Sequence, residues 1–193
     1  SVNVYGCGES SIEYVYGGGN AAPVPATEVK VYGSYEIDYV FGGGNGKDDV
    51  NGVANPGADV GLNGSTSYGA GTATTTILGG VIHRVFGGSN TKGDVREKAS
   101  VTLGDDNLQP CEFKVDQVYG AGNEAYMSGD LEITMHCIEG VTAIYGGSRK
   151  ADIGSPTSRR DVVLNVYGGH YDQVFGGNNE SGCIYGSITV NIQ

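Results

Sequence analysis

The chain has no tryptophan, few cations and no long apolar run. Lys and Arg together number 11 against 22 Asp and Glu, giving a formal net charge of −11. Nucleic acids and anionic membrane surfaces are met by basic patches, so neither is expected as a partner. No stretch approaches the roughly 18 consecutive apolar residues of a membrane-spanning helix. No segment sustains a 3.6-residue apolar period, so essentially no helix is expected. Catalytic signatures are missing as well: no nucleophile elbow, zinc-protease motif or phosphate loop stands in a suitable strand–helix context. GGGNG at Gly42–Gly46 is glycine-rich, but no helix pattern follows it. The three histidines, His83, His136 and His170, fall in different repeats. No enzyme is expected from this inventory. The chain opens on Ser1 rather than Met, which is the expectation for a processed or trimmed product.

What is present is a nine-residue phrase in six copies. It reads IEYVYGGGN at Ile12–Asn20, IDYVFGGGN at Ile37–Asn45, IHRVFGGSN at Ile82–Asn90, VDQVYGAGN at Val115–Asn123, VTAIYGGSR at Val141–Arg149 and YDQVFGGNN at Tyr171–Asn179. A phrase repeated at variable spacing marks one small unit stacked on itself. Gly makes up 35 of 193 residues, and its fixed offsets read as turns rather than disorder. A second phrase with period-two alternation precedes each copy: SVNVYG at Ser1, EVKVYG at Glu28, TTTILG at Thr74, SVTLGD at Ser100, EITMHC at Glu132 and VLNVYG at Val163, with SITVNI at Ser187 closing the series. Such alternation is a strand signal. A weaker third piece follows the glycines, at Gly93–Val95, Tyr126–Gly129, Ala151 and Gly182.

Three short strands per repeat with tight corners describe one rung of a right-handed parallel β-helix, about six rungs in a single domain over residues 1–193. The phrase aromatics lie 25, 45, 33, 26 and 30 residues apart. The long interval holds a Gly-, Asn-, Ser- and Thr-rich insertion from Gly46 to about Ala73, expected to be a surface loop. An antiparallel hairpin sandwich is the weaker alternative, since it does not require the same phrase once per circuit. The first and last strands share one phase, and no amphipathic cap is visible. Either loops blunt the ends, or the domain is stacked within a longer protein, because open rungs are unpaired edges.

In a solenoid, equivalent positions stack, so each column is judged as a unit. Val15, Val40, Val85, Val118, Ile144 and Val174 form one interior column, and Ile12, Ile37, Ile82, Val115, Val141 and Tyr171 another. Each buried aliphatic is worth about 1.5–3 kcal/mol. Tyr16, Phe41, Phe86, Tyr119, Tyr145 and Phe175 form an aromatic ladder, read as packing in which the hydroxyl is neither needed nor forbidden. Asn20, Asn45, Asn90, Asn123 and Asn179, with Arg149 as the exception, form an amide ladder, asparagine tolerating a left-handed corner. The second phrase position holds Glu13, Asp38, His83, Asp116, Thr142 and Asp172. Stacked carboxylates repel unless solvated or bridged. A Ca²⁺ ion drawing on Asp48, Asp49 and Asp59 is the alternative to a solvated acidic edge; no cofactor is otherwise expected. Arg149, Lys150, Arg159 and Arg160 form a basic group in one spacer, able to meet an anionic glycan or to lie solvated. Cys111 and Cys137 lie at equal offsets from Val118 and Ile144, which stacks the two thiols one rung apart, within disulfide reach. Cys7 and Cys183, near opposite ends, are expected to have no intramolecular partner.

The strand–V[YF]GGGN–strand pattern resembles the Gly-rich repeats of large bacterial surface and secreted proteins, and more distantly the β-helical passenger domains of adhesins and autotransporters. The resemblance covers the chain outside the insertion. It implies an extracellular or cell-surface, adhesin-like scaffold that displays loops to a protein or glycan partner, with flanking repeats or domains. The alternative is a carbohydrate-binding or carbohydrate-active β-helix, which requires a groove with clustered Asp, Arg and exposed Tyr. The 13 tyrosines favour it; the absence of Trp counts against it.

Overall fold

A computed structural model describes residues 1–8, 10–105 and 112–193. Among these residues there is no helix, and the chain is a parallel β-solenoid of about six turns. One wall is a seven-stranded sheet in the order β1 (Val2–Val4), β3 (Thr27–Val31), β7 (Thr72–Ile77), β9 (Lys98–Leu103), β11 (Asp130–Met135), β13 (Val162–Val166) and β15 (Ile188–Ile192). The second wall is a six-stranded sheet of β2 (Ser11–Tyr16), β4 (Glu36–Phe41), β8 (Gly80–Phe86), β10 (Phe113–Tyr119), β12 (Val141–Tyr145) and β14 (Tyr171–Phe175). Each strand pairs in parallel with its counterpart one turn away.

The first wall follows simple alternation. In β3, Val29 and Val31 are fully buried while Glu28 and Lys30 face out. The second wall does not. Its first and fourth phrase positions both point inward, so Ile37 and Val40 are buried three residues apart. Period-two geometry forbids this in a regular strand. The pairing shows the solution: Ile37 pairs with Ile82 and Tyr39 with Arg84, while Asp38 and His83 between them are skipped. The same skip recurs at Asp116 and Thr142. A kink stacked at the second position therefore turns two successive side chains outward in every strand of this wall.

The third piece of each repeat forms single bridges rather than strands. Val24, Val60 and Val95 pair in succession, as do Met127, Ile153 and Ile184. Glycines with positive φ, such as Gly154 at 69° and Gly182 at 92°, bend the chain beside these bridges and leave one residue to pair.

Three expectations change. The insertion is not all surface loop. Residues 62–67 carry a small hairpin of β5 (Leu62–Asn63) and β6 (Thr66–Ser67), but Ala58 and Val60 just before it are fully buried. Val60 is the third-wall residue of its own turn. The phrase glycines and asparagines do not occupy left-handed corners. Among the described residues Asn51 is the one non-glycine with positive φ, in the tight Val50–Val53 turn. Close backbone approach between turns, not φ, selects the phrase glycines. Finally, Cys7 is disulfide-bonded, whereas Cys137 and Cys183 carry free, exposed thiols. A linkage to Cys137 is thus absent, and Cys111 lies outside the described residues. Cys7 is not confined to first-turn neighbours: it borders a depression shared with Ser34, Val81 and Glu112, residues of later turns.

Candidate ligand-binding groove

The predicted columns provide the frame. Val15, Val40, Val85, Val118 and Ile144 are buried in one core cluster, with Val174 packed against it. Ile12 and Tyr171 close the ends of the neighbouring column, half-buried. The aromatic ladder is a separate cluster. Each ring follows an inward aliphatic and so leaves the sheet on the opposite side. Centroids from Tyr16 through Phe41, Phe86, Tyr119 and Tyr145 to Phe175 are 5.1, 4.8, 4.6, 4.9 and 5.0 Å apart. Stacking covers the ring faces within the ladder, and Phe41, Phe86 and Tyr119 are wholly buried. Open ring surface is left only toward the ends of the ladder, where Phe175 is exposed, and the ladder carries the hydroxyls of Tyr16, Tyr119 and Tyr145.

Those hydroxyls take part in bonding. Tyr16 donates to Asn45 Oδ1 at 3.2 Å and accepts from Asn90 Nδ2 at 3.2 Å. Asn179 Nδ2 donates to the Tyr119 hydroxyl at 2.8 Å. The amide ladder runs through Asn20, Asn45, Asn90 and Asn123, each donating to the preceding member at 2.9 Å. Arg149 continues it by donating to Asn123 Oδ1 at 3.1 Å.

Beside the aromatic ladder runs the third phrase position: Tyr14, Tyr39, Arg84, Gln117, Ala143 and Gln173. Five of these are long. Ala143 is small and lies in a groove of about 620 Å³ lined also by Asp38, Tyr39, His83, Arg84, Asp116, Gln117, Thr142, Tyr145 and Gln173. Arg84 is fixed in its wall: Nε donates to Gln117 Oε1 at 2.9 Å, and Nη1 donates to the Tyr39 hydroxyl at 2.9 Å. Its guanidinium lies 5.4 Å from the Tyr39 ring centre, a cation–π distance. The other face of Tyr39 stacks on Tyr14 at 5.0 Å.

The second-position column forms the adjoining wall. His83 Nδ1 lies 2.6 Å from Asp116 Oδ2, and Nε2 lies 3.1 Å from Glu36 Oε1 and 3.9 Å from Asp38 Oδ1. Hydrogen bonding to Asp116, then to Glu36, holds the imidazole pKa above its ordinary value. Two of the carboxylates that were candidates for Ca²⁺ are otherwise engaged. Asp49 accepts from Lys92 Nζ at 2.6 Å and from the Asn55 amide at 2.8 Å, and Asp59 accepts from the Asp94 amide at 2.8 Å. The basic spacer group is also neutralised in part: Arg149 pairs with Glu180 at 2.5 Å and Lys150 with Glu124 at 3.3 Å. His136 lies near Tyr167 and His170 near Asp172, away from His83's partners.

Two participants escaped the sequence. Glu36 precedes the phrase and was not counted with it. Its spacing of two from Asp38 was a usable signal, though the kink blurs that rule. Ala143 mattered by being small, which column-wise comparison shows only once the column is known to face outward. No protein-family model matches this chain, and no curated protein or solved structure matches it.

Proposed function

We propose that the chain is a non-catalytic scaffold of a cell-surface or secreted protein, and that the groove over Ala143 binds a hydroxyl-rich ligand, a glycan. The observation that carries this proposal is the fixed polar lining. A guanidinium held by two partners, the amides of Gln117 and Gln173, and the carboxylates of Asp38 and Asp116 converge on one depression. Convergent donors and acceptors on a rigid wall suit a ligand that presents both on adjacent carbons. The solenoid supplies the rigidity, since the lining residues sit on successive parallel strands, all of them paired on both sides except the edge strand β14 that carries Gln173. The covered ring faces argue for hydrogen-bonded recognition along the groove rather than sugar stacking. The groove's acidity favours neutral or amino sugars over uronates.

Glycan-array screening followed by calorimetric titration tests this proposal. Ala143→Leu narrows the groove at its small residue, and Arg84→Ala removes its fixed donors. Each is expected to weaken binding of the selected glycan at least about tenfold, equivalent to about 1.4 kcal/mol; Arg84 is half-buried, so melting temperature is followed alongside to confirm that the variant folds. Absence of any bound glycan, or binding indifferent to both substitutions, would remove the proposal.

A further inference from the structure

We propose that Glu36, Asp38 and His83 bind one divalent first-row transition-metal ion of the zinc class, at the edge of the groove. The metal site shares Asp38, His83 and Asp116 with the lining of the groove but does not rest on the glycan reading, because it is argued from the separations around His83 and is tested with zinc alone.

One ligand atom from each of the three residues lies within 4.8 Å of the others. Zinc bonds to imidazole nitrogen and carboxylate oxygen are about 2.0–2.2 Å, which in a tetrahedral site separates ligand atoms by about 3.3–3.6 Å. The His83 Nε2 separations of 3.1 Å to Glu36 and 3.9 Å to Asp38 bracket that range. Small side-chain rotations that adjust these two separations would seat an ion beside the Nε2–Glu36 contact, in place of that hydrogen bond.

The second nitrogen of the ring is what separates this group from an ordinary acidic edge. His83 Nδ1 is bonded to Asp116 on the next turn. A carboxylate behind a histidine fixes the ring orientation, keeps Nε2 as the free donor atom and raises its basicity, which is the usual outer arrangement around a metal-bound imidazole. Here strand pairing sets it up: Glu36 and Asp38 come from β4, His83 from β8 and Asp116 from β10, three adjacent strands of one sheet. Each of these side chains flanks an inward residue, Ile37, Ile82 or Val115, so ordinary alternation brings them out of the wall together.

The donor set selects the ion. One imidazole with two carboxylates suits zinc and its neighbours, whereas Ca²⁺ takes six to eight oxygens and Mg²⁺ a near-octahedral, mostly hydrated shell. Charge points the same way: three carboxylates surround one imidazole, and a divalent cation offsets more of that excess than a proton does. All three ligand side chains are partly exposed, so an ion can enter from solvent. Asp38 and His83 also line the groove, so a remaining coordination position faces it.

The test is calorimetric titration of the full chain with Zn²⁺ alone, in glycan-free buffer, with Ca²⁺ and Mg²⁺ as comparators. Exposed thiols at Cys137 and Cys183 also take zinc, so the quantity read is the difference between the wild type and His83→Ala. The expected result is one Zn²⁺ equivalent lost in His83→Ala and retained in His170→Ala. Asp116→Asn is expected to keep that equivalent at about 10–100-fold lower affinity, as loss of an outer carboxylate does elsewhere. If His83→Ala does not fold, His83→Gln reports the same loss while keeping hydrogen-bonding capacity. Equal zinc stoichiometry in the wild type and the folded His83 variant, or a His83-dependent site that prefers Ca²⁺, would overturn the assignment.

Discussion

At Gly87 a methyl group would lie 2.2 Å from the carbonyl oxygen of Gly120 and 2.8 Å from a Val101 methyl. The first distance is backbone against backbone, which side-chain motion cannot relieve. Gly17, Gly42, Gly120 and Gly146 meet the next turn's carbonyl in the same way, at 2.3–2.4 Å. Gly87→Ala should therefore destabilise the fold by at least about 1–3 kcal/mol, the scale of core overpacking. Gly177→Ala, which meets nothing within 4 Å, should be nearly neutral. Paired denaturant melts check this, and equal effects would mean that the turns can separate. Asp94 offers a pH test. Burial pushes its pKa up, against hydrogen bonds from the Ser128 amide at 2.6 Å and the Ser128 hydroxyl that pull it down. A folded-state pKa above the unfolded value means that the group's stabilising contribution is present below the ordinary carboxylate range, about 3.9. That contribution is lost as pH rises through the folded value. Asp94→Asn should thus melt at or above the wild type at neutral pH, and the wild type should gain on the variant as pH falls. A wild type that loses ground on acidification would contradict the sign.

At the scale of elements, the insertion divides into parts with different fates. Ala58 and Val60 fill the third wall between Val24 and Val95, and the Val60 amide donates to Asp94 O at 2.7 Å. Removing residues 51–67 deletes that step of the wall and should abolish cooperative unfolding, followed by circular dichroism. Loop-closure entropy, which alone would make such a deletion tolerable, is outweighed by lost burial. Shortening only the Asn63–Thr66 hairpin tip should leave the melt unchanged, since Gly64 meets nothing and both strands are exposed or half-buried. Val60 was hidden in the sequence because one apolar residue among Gly, Asn and Asp carries no period. By contrast, the strands of both large walls were legible, because Val40 and its equivalents recur in a fixed phrase despite spacers of changing length. The groove sits between these cases. Its lining residues were visible as a varied column, but their outward direction depends on the kink at Asp38, His83 and Asp116, which alternation rules do not foresee.

For the whole molecule, quasi-one-dimensional stacking determines where stability lies. Strand pairing joins each turn only to its neighbours, so a strand inside the stack is held on two sides and a terminal one on a single side. Burial follows that pattern. Val40, Val85 and Val118 are fully buried, whereas in β15 Ile188, Val190 and Ile192 are 47%, 40% and 71% exposed, and Phe175 of β14 is 45% exposed. Among the described residues, β1 and β15 are the edges of one wall and β2 and β14 of the other. Opening from an end breaks one interface, while opening from the middle breaks two. Native-state hydrogen exchange of this chain should accordingly show a gradient: slowest in β4, β8 and β10, intermediate in β7, β11 and β12, and fastest in β1, β14 and β15. The proposed metal ligands lie on the slow strands β4 and β8, whereas the groove runs from these through β10 and β12 to the edge strand β14, so the metal site should keep its geometry through end fraying while the Gln173 end of the groove loosens first. Zinc, binding across β4 and β8, should slow exchange there further by mass action without protecting β15. Uniform protection from β1 to β15 would instead mean that the stack unfolds as one cooperative block. Faster exchange in β8 than in β14 would contradict the central packing from which the groove's rigidity is argued.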